Sequence, residues 1–332
     1  MRRTFLTSLL VVLVLVALVL AAGCGGGSSS STASSAPAVA ADVSADQVVK
    51  DSEAAMAEVT SASFVADLAL KVQGDPNQMT DPTQKALLSQ GITLHAEGQS
   101  SNDPTAVNMS MSLGVTGQTL EFTMMTEGDQ SWVQYQGTWY ALDKKSAKSL
   151  DTQAQTGAVP TEQLKSLGLD PAEWGTTYEM VGAENLNGVP VYHIRATADP
   201  QKLADALLKA MEDPKLANKL GSSGAQLGQL KDSLQQNKQQ AEQLRKSLKE
   251  TTVDYWIGTE DKLMYKAQYV ATLDTKGQQG MEGVDGMSMD ATVSMSNFGD
   301  PVTVTPPANA QSINKLMEQM FGGMMGGAGT SF

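Results

Sequence analysis

Along much of the chain every second residue is apolar. Ala62, Phe64, Ala66, Leu68, Leu70 and Val72 alternate with partners that include Ser63, Asp67 and Lys71. This spacing predicts a strand with one wet face. The pattern repeats at Ile92-Leu94-Ala96, Val107-Met109-Met111-Leu113 and Leu120-Phe122-Met124. Turn-like points at Asp129-Gln130 and Gln136-Gly137 separate Trp132, Val133 and Tyr135 from Trp139, Tyr140 and Leu142, predicting consecutive hairpins. Tyr178–Gly182 and Val189–Ala196 pair across Asn187-Gly188, a strong hairpin signal. Strands resume at Val253-Tyr255-Ile257, Leu263–Leu273 and Met289–Met295, with a Gly-rich loop over Gly277–Gly286 before the last.

Helical periods interrupt this series. Val48, Val49, Ala55, Met56 and Val59 predict a helix from about Ala45 to Val59, with Ser44 and Gln47 as a capping box. Thr161–Leu167 is a short helix candidate. Asp199-Pro200 opens a helix whose buried face is Leu203, Leu207 and Met211. From Ala225 to Glu250 a narrow stripe (Leu227, Leu230, Leu234, Ala241, Leu244, Leu248) predicts a helix that folds back on the preceding one at Gly221–Gly224. About ten alternating strands joined by short turns make an antiparallel meander, whose apolar face the helices cover. The fold class is α+β.

The N-terminal segment adds an address. Arg2 and Arg3 precede the apolar run Leu9–Ala22, which is too short to span a bilayer comfortably and suits a signal peptide. The run ends at Ala21-Ala22-Gly23-Cys24, and Cys24 is the chain's single cysteine, so no internal disulfide forms. This reads as a lipoprotein signal, cleaved before Cys24 and acylated on its thiol; the alternatives are a secreted protein with an incidental Cys or an uncleaved anchor. Gly25–Ala41 is a flexible Gly/Ser tether. The organisation is then signal peptide at 1–23, lipidated Cys and linker at 24–42, folded domain at 43–307 with a helical insertion near 200–250, and an amphipathic segment with a Gly/Met-rich tail at 308–332.

Charge narrows the partners. The formal net charge is −13, and loss of Arg2 and Arg3 takes it to about −15. Such a chain is a poor match for nucleic acid or anionic headgroups, so the membrane is held through acyl chains. Candidate chemistry is sparse. His95 and His193 have no Cys, Asp or Glu at ligand spacing, and no nucleophile elbow, P-loop or dinucleotide fingerprint occurs. Met109-Met111 and Met287-Met289 could hold Cu(I), but burial alone explains paired Met on a strand. No enzyme, cofactor or metal is expected.

The predicted inner face mixes Ala with Met and aromatics. Short side chains leave volume, and Met adapts to exchangeable apolar partners. The same face equally suits a solid core.

The signal at Cys24, the tether and the stretches SEAAMAEVTSASFVADLALKVQGD, VDYWIGTEDKLMYKAQYVATL and SNFGDPVTVTPPANA resemble the actinobacterial LppX/LprG-type lipoproteins over most of Val43 to Ala310. The resemblance implies a strongly curved antiparallel half-barrel, similar to the LolA/LolB carriers, with helices packed on its concave side. Between sheet and helices it implies a cavity for acyl chains of lipids or glycolipids, on a monomer anchored at the extracytoplasmic face of the cell membrane. The lining would be Phe64, Leu68, Met109, Met111, Phe122, Met124, Tyr265, Tyr269, Val293 and Met295. The long Gln-rich segment and the Gly/Met tail depart from the family pattern. The function expected is a lipid carrier or chaperone of the envelope. The alternative is an interaction or structural lipoprotein with a solid core, docking an envelope partner through the 200–250 hairpin.

Overall fold

A computed structural model describes residues 43–79, 82–142, 171–212, 242, 245–276 and 283–316. Its strands, numbered in chain order, are β1 (Ser61–Gly74), β2 (Ile92–Asn102), β3 (Thr105–Val115), β4 (Gln118–Glu127), β5 (Gln130–Tyr135), β6 (Thr138–Ala141), β7 (Thr177–Leu186), β8 (Val189–Thr197), β9 (Leu248–Gly258), β10 (Met264–Asp274), β11 (Val284–Ser296) and β12 (Gln311–Ser312). The helices are α1 (Ala45–Ala57), α2 (Pro82–Gln90) and α3 (Pro200–Glu212), with a 3₁₀ turn at Pro171–Trp174.

All twelve strands form one open sheet in the order β12-β6-β5-β4-β3-β2-β1-β11-β10-β9-β8-β7. Every pairing is antiparallel except β12 with β6. The order follows from short connections. From β1 the chain steps outward strand by strand to β6. It then resumes at the opposite edge with β7 and steps inward until β11 lies against β1. Two wings thus meet at a central β1–β11 pair.

Turn chemistry sets the register. Asn187 and Gly188 both have positive φ (53° and 92°) in the two-residue turn between β7 and β8, and the Asn185 side chain accepts a hydrogen bond from Gly188 N–H at 2.7 Å.

Helix α1 begins at Ser44, whose backbone is extended, but its hydroxyl makes no cap bond. Gln47 turns instead to Asp51, at 2.8 Å, so the expected capping box does not form. Ala45, Val48 and Val49 pack on Ile194 and Ile257 of β8 and β9. Helix α3 opens as its sequence signals: the Asp199 carboxylate accepts from the N–H groups of Gln201 (2.9 Å) and Lys202 (3.1 Å). Its Leu203 and Ala206 enter a larger apolar cluster with Ala196, Leu248, Val253 and Tyr269. Helix α2, which the sequence pattern did not single out, adds Leu88 to that cluster.

Three boundaries correct the sequence reading. Leu248–Glu250 are not the end of a helix: Leu248 starts β9, pairs with Leu273 of β10 and is buried. Gly286 is not loop but part of β11. Tyr265 leaves the alternation of its strand, because β10 is bulged between Met264 and Lys266. Cys24, the Thr161–Leu167 candidate, Leu227–Ala241, Leu244 and the Gly/Met tail lie outside the described residues, as do the side chains of Leu207 and Met211. No helix among the described residues is long and apolar enough to cross a membrane.

Candidate functional site

Cross-strand pairs place apolar residues in rows on one face of the sheet. One row runs Met295, Phe64, Gly98, Met109, Met124, Val133, Tyr140. The next runs Ala267, Val293, Ala66, Ala96, Met111, Phe122, Tyr135. A third runs Tyr269, Ala291, Leu68, Leu94, Leu113, Leu120. Nine of the ten residues named from the sequence share this face by register. The tenth, Tyr265, sits at the bulge; its hydroxyl donates to Asp261 at 2.6 Å and its ring meets Phe298 edge-on at 5.3 Å. Burial and the Asp261 charge push its phenol up to about 12.

The face is unevenly covered. On β8 to β11 it is sealed: Ile194, Ile257, Ala267 and Ala271 are fully buried and Tyr269 nearly so. The helices supply Ala45, Val48 and Val49 from α1 and Leu203 and Ala206 from α3. On the other wing, Phe64, Leu68, Leu94, Met109, Met111, Leu113, Leu120 and Phe122 are only half-buried. Among the described residues neither apolar cluster draws a member from β3, β4, β5 or β6. Phe122 and Tyr135 stack on each other at 5.3 Å within this field. Gly98 stands in the row between Phe64 and Met109 and contributes no side chain to it.

Toward one rim, burial returns. Met124, Thr126, Ser131 and Tyr140 are buried on this face, and Trp132 is buried on the other. Here the chain after β11 forms a strap. Gly299 N–H donates to Ser61 O at 2.9 Å, and Ser61 Oγ donates to Asp300 O at 2.7 Å. The strap ends where Gln311 and Ser312 pair with Tyr140 and Ala141 of β6, with Val304 buried along the way.

The opposite face carries a polar cluster that sequence spacing concealed. His193 Nδ1 is 2.7 Å from Glu184 Oε1, and its Nε2 is 2.8 Å from Asp254 Oδ1. Arg195 grips Asp254 with two bonds of 3.0 Å, which raises its guanidinium pKa further. Trp256 stacks on His193 at 4.5 Å and donates to Glu184 at 3.2 Å, while Lys266 lies over the Trp256 ring. Both ring nitrogens of His193 are engaged, and the cluster ties β7, β8 and β9 together. Its partners lie 9 and 61 residues away in sequence, and only strand register could have found them. His95 bonds Asp67 at 2.7 Å on the exposed face. Among the described residues no group of three or more His, Cys, Asp and Glu could hold a metal ion.

Comparison with known proteins adds context. A family model described as a family of unknown function, DUF6612, matches residues 44–169. No curated protein matches the chain. Among solved structures, the Mycobacterium tuberculosis lipoprotein LppX is similar at 16% identity over 78% of this chain and 97% of that one, with a TM-score of 0.35. LprF from Mycobacterium bovis is similar at 14% identity over 80% and 97%, with a TM-score of 0.34. A putative outer membrane lipoprotein-sorting protein domain from Vibrio parahaemolyticus is similar at 10% identity over 78% and 95%, with a TM-score of 0.22.

Proposed function

We propose that the chain is a lipid-binding lipoprotein of the cell envelope, acylated at Cys24, whose sheet curls into a half-barrel and takes acyl chains of lipids or glycolipids on its apolar face. The observation that carries this reading is the half-buried field on β1 to β5. A wide apolar surface in water is costly, at about 25 cal/mol per Å², and soluble domains rarely leave one large and contiguous. The Met and aromatic side chains there suit a partner that changes from one occupancy to the next. Each methylene of an acyl chain laid on the field would add roughly 0.8 kcal/mol. The sealed half of the face, with α1 and α3, serves as the rigid wall that keeps the field open. The protein then acts as a carrier or chaperone and not as a catalyst, a reading supported by a face that offers apolar contact and little titratable chemistry.

The test is native mass spectrometry of the full chain extracted from its host's membranes. Two additions to the mass are expected: a covalent acyl group on Cys24, and a non-covalent lipid lost on activation. Met111→Glu should abolish the second, leaving the first and the far-UV circular dichroism unchanged. A wild-type chain that carries no non-covalent lipid overturns the reading.

A further inference from the structure

The apolar face carries two Met-x-Met pairs, and they meet different surroundings. Met287 and Met289 of β11 are 3% and 2% exposed. Met109 and Met111 of β3 are only half-buried, in the open field. Burial accounts for the first pair and leaves the second unexplained. Met109 stands between Gly98 and Met124, and Met111 between Ala96 and Phe122. Met125 is half-buried as well, but alternation along β4 puts it on the opposite face of the sheet.

A thioether that solvent can reach is open to two-electron oxidants such as hydrogen peroxide. A sulfur lone pair attacks one peroxide oxygen, and the S–O bond forms as the O–O bond breaks. The departing hydroxide takes the proton left on the transferred oxygen, giving sulfoxide and water. Sulfur is oxidised by two electrons and the peroxide is reduced by two. The product replaces an apolar side chain with a polar one. None of the four cross-strand neighbours, Gly98, Met124, Ala96 and Phe122, has a side-chain donor to meet the new oxygen. Water can meet it for as long as the field is uncovered.

From this arrangement we propose that Met109 and Met111 are oxidation sites that switch the field off: as sulfoxides they hold water where an acyl chain would lie, and the lipid leaves. Covering a sulfoxide without a donor strips its water and gives nothing in return. The empty protein tolerates the change, because its field is already partly open to solvent. A bound acyl chain in turn covers both sulfurs, so the loaded protein resists the oxidant that disarms the empty one. Reduction of the sulfoxides restores the face. The switch rests on the carrier reading and adds to that site a regulation by a small oxidant.

The full chain, freed of lipid in cholate, is exposed to hydrogen peroxide with and without saturating tritiated palmitic acid, a saturated probe inert to the oxidant. Catalase ends the reaction, and retention of the probe on the protein gives its affinity. Cleavage after Glu97, Glu121 and Glu127 puts Met109 and Met111 in one peptide and Met124 and Met125 in the next, and fragmentation places each added oxygen. In the free protein Met109, Met111 and Met125 should oxidise before Met287 and Met289. The probe should slow oxidation of Met109 and Met111 and leave that of Met125 as it was. Peroxide should then weaken palmitic acid binding by about tenfold or more, the effect of one uncompensated polar group, with the far-UV circular dichroism unchanged. Met125→Leu should lose affinity on the same treatment. The double variant Met109→Leu, Met111→Leu should keep its own starting affinity through peroxide. If Met109 and Met111 oxidise no sooner than Met287 and Met289, or if the oxidised wild type binds as before, the switch is overturned and the carrier reading stands. An equal loss of affinity in the double variant also overturns it, because the sensitive residue then lies elsewhere. If the unoxidised wild type binds no probe, both readings fall. Should the double variant not fold, treating the oxidised wild type with methionine sulfoxide reductases and dithiothreitol decides: affinity returns if the switch holds and stays lost if it does not.

Discussion

At Gly98 the sheet leaves no room for a side chain. A Cβ there would stand 2.4 Å from the Asn108 carbonyl oxygen and 2.5 Å from Met109 Cβ. The backbone cannot yield without disturbing the β2–β3 ladder, so Gly98→Ala should destabilise the chain by about 1–3 kcal/mol, the usual cost of overpacking. Gly182, beside the bulge of β7, meets nothing within 4 Å. Gly182→Ala should be neutral or stabilising by up to about 1 kcal/mol, since it restricts the unfolded chain. Equilibrium urea unfolding of the two variants makes the comparison, and equal effects would show that Gly98 is not tightly enclosed. Neither outcome could be read from sequence, where both glycines merely interrupt a strand. Alternation along one strand is legible residue by residue. What each residue meets on the next strand is not, and for that reason the partners of His193 were invisible while its place on a strand was plain.

Among the elements, α1 has a pH signature. Tyr178 and Tyr255 pack where α1 crosses β7 and β9, and burial, reinforced by the charge of Glu53, pushes both phenols above their ordinary value of 10.0. The unfolded chain loses these protons near pH 10 while the folded chain keeps them. Their contribution to stability is therefore complete below pH 10 and is lost as pH rises beyond it. The melting temperature should be flat across mildly alkaline pH and fall above about pH 10. Tyr255→Phe should flatten that fall; an unchanged slope would place the alkaline transition elsewhere. The helix itself was legible from its 3,4 spacing, as was α3 from Asp199-Pro200. Leu248 was not, because its distance from Leu244 fits a helical stripe as well as the start of a strand. Pairing with Leu273 decides it, a tertiary contact that outweighs the helical preference of Lys249 and Glu250. The bulge at Tyr265 was hidden for a similar reason: one extra residue shifts which side chain faces inward, and no local composition marks it.

For the whole molecule, the strap after β11 joins the centre of the sheet to the far edge of one wing. It gives β6 its last partner and accompanies the buried rim around Ser131 and Tyr140. A chain ending at Asn297 should lose hydrogen-exchange protection in β5 and β6 by about tenfold or more while β9 to β11 keep theirs, because an unpaired edge opens at low cost. Uniform loss across the sheet would instead make the strap part of the global core. The meander was legible in the sequence as a succession of strands. That its first and eleventh strands are neighbours was not, since nothing local announces a pairing between Ser63 and Ser296.

That central pair also sets a timetable. Synthesis runs from N- to C-terminus, so β1 and its hairpin partners exist long before β11 does. Until β11 is made, β1 holds one edge against β2 and presents the other bare, with Phe64, Leu68 and Leu70 beside it. The incomplete chain therefore carries a ready template for wrong pairing at what will become the middle of the sheet. Its exposure lasts as long as the second wing takes to complete, so the vulnerable moment of this fold falls before its last long strand is in place.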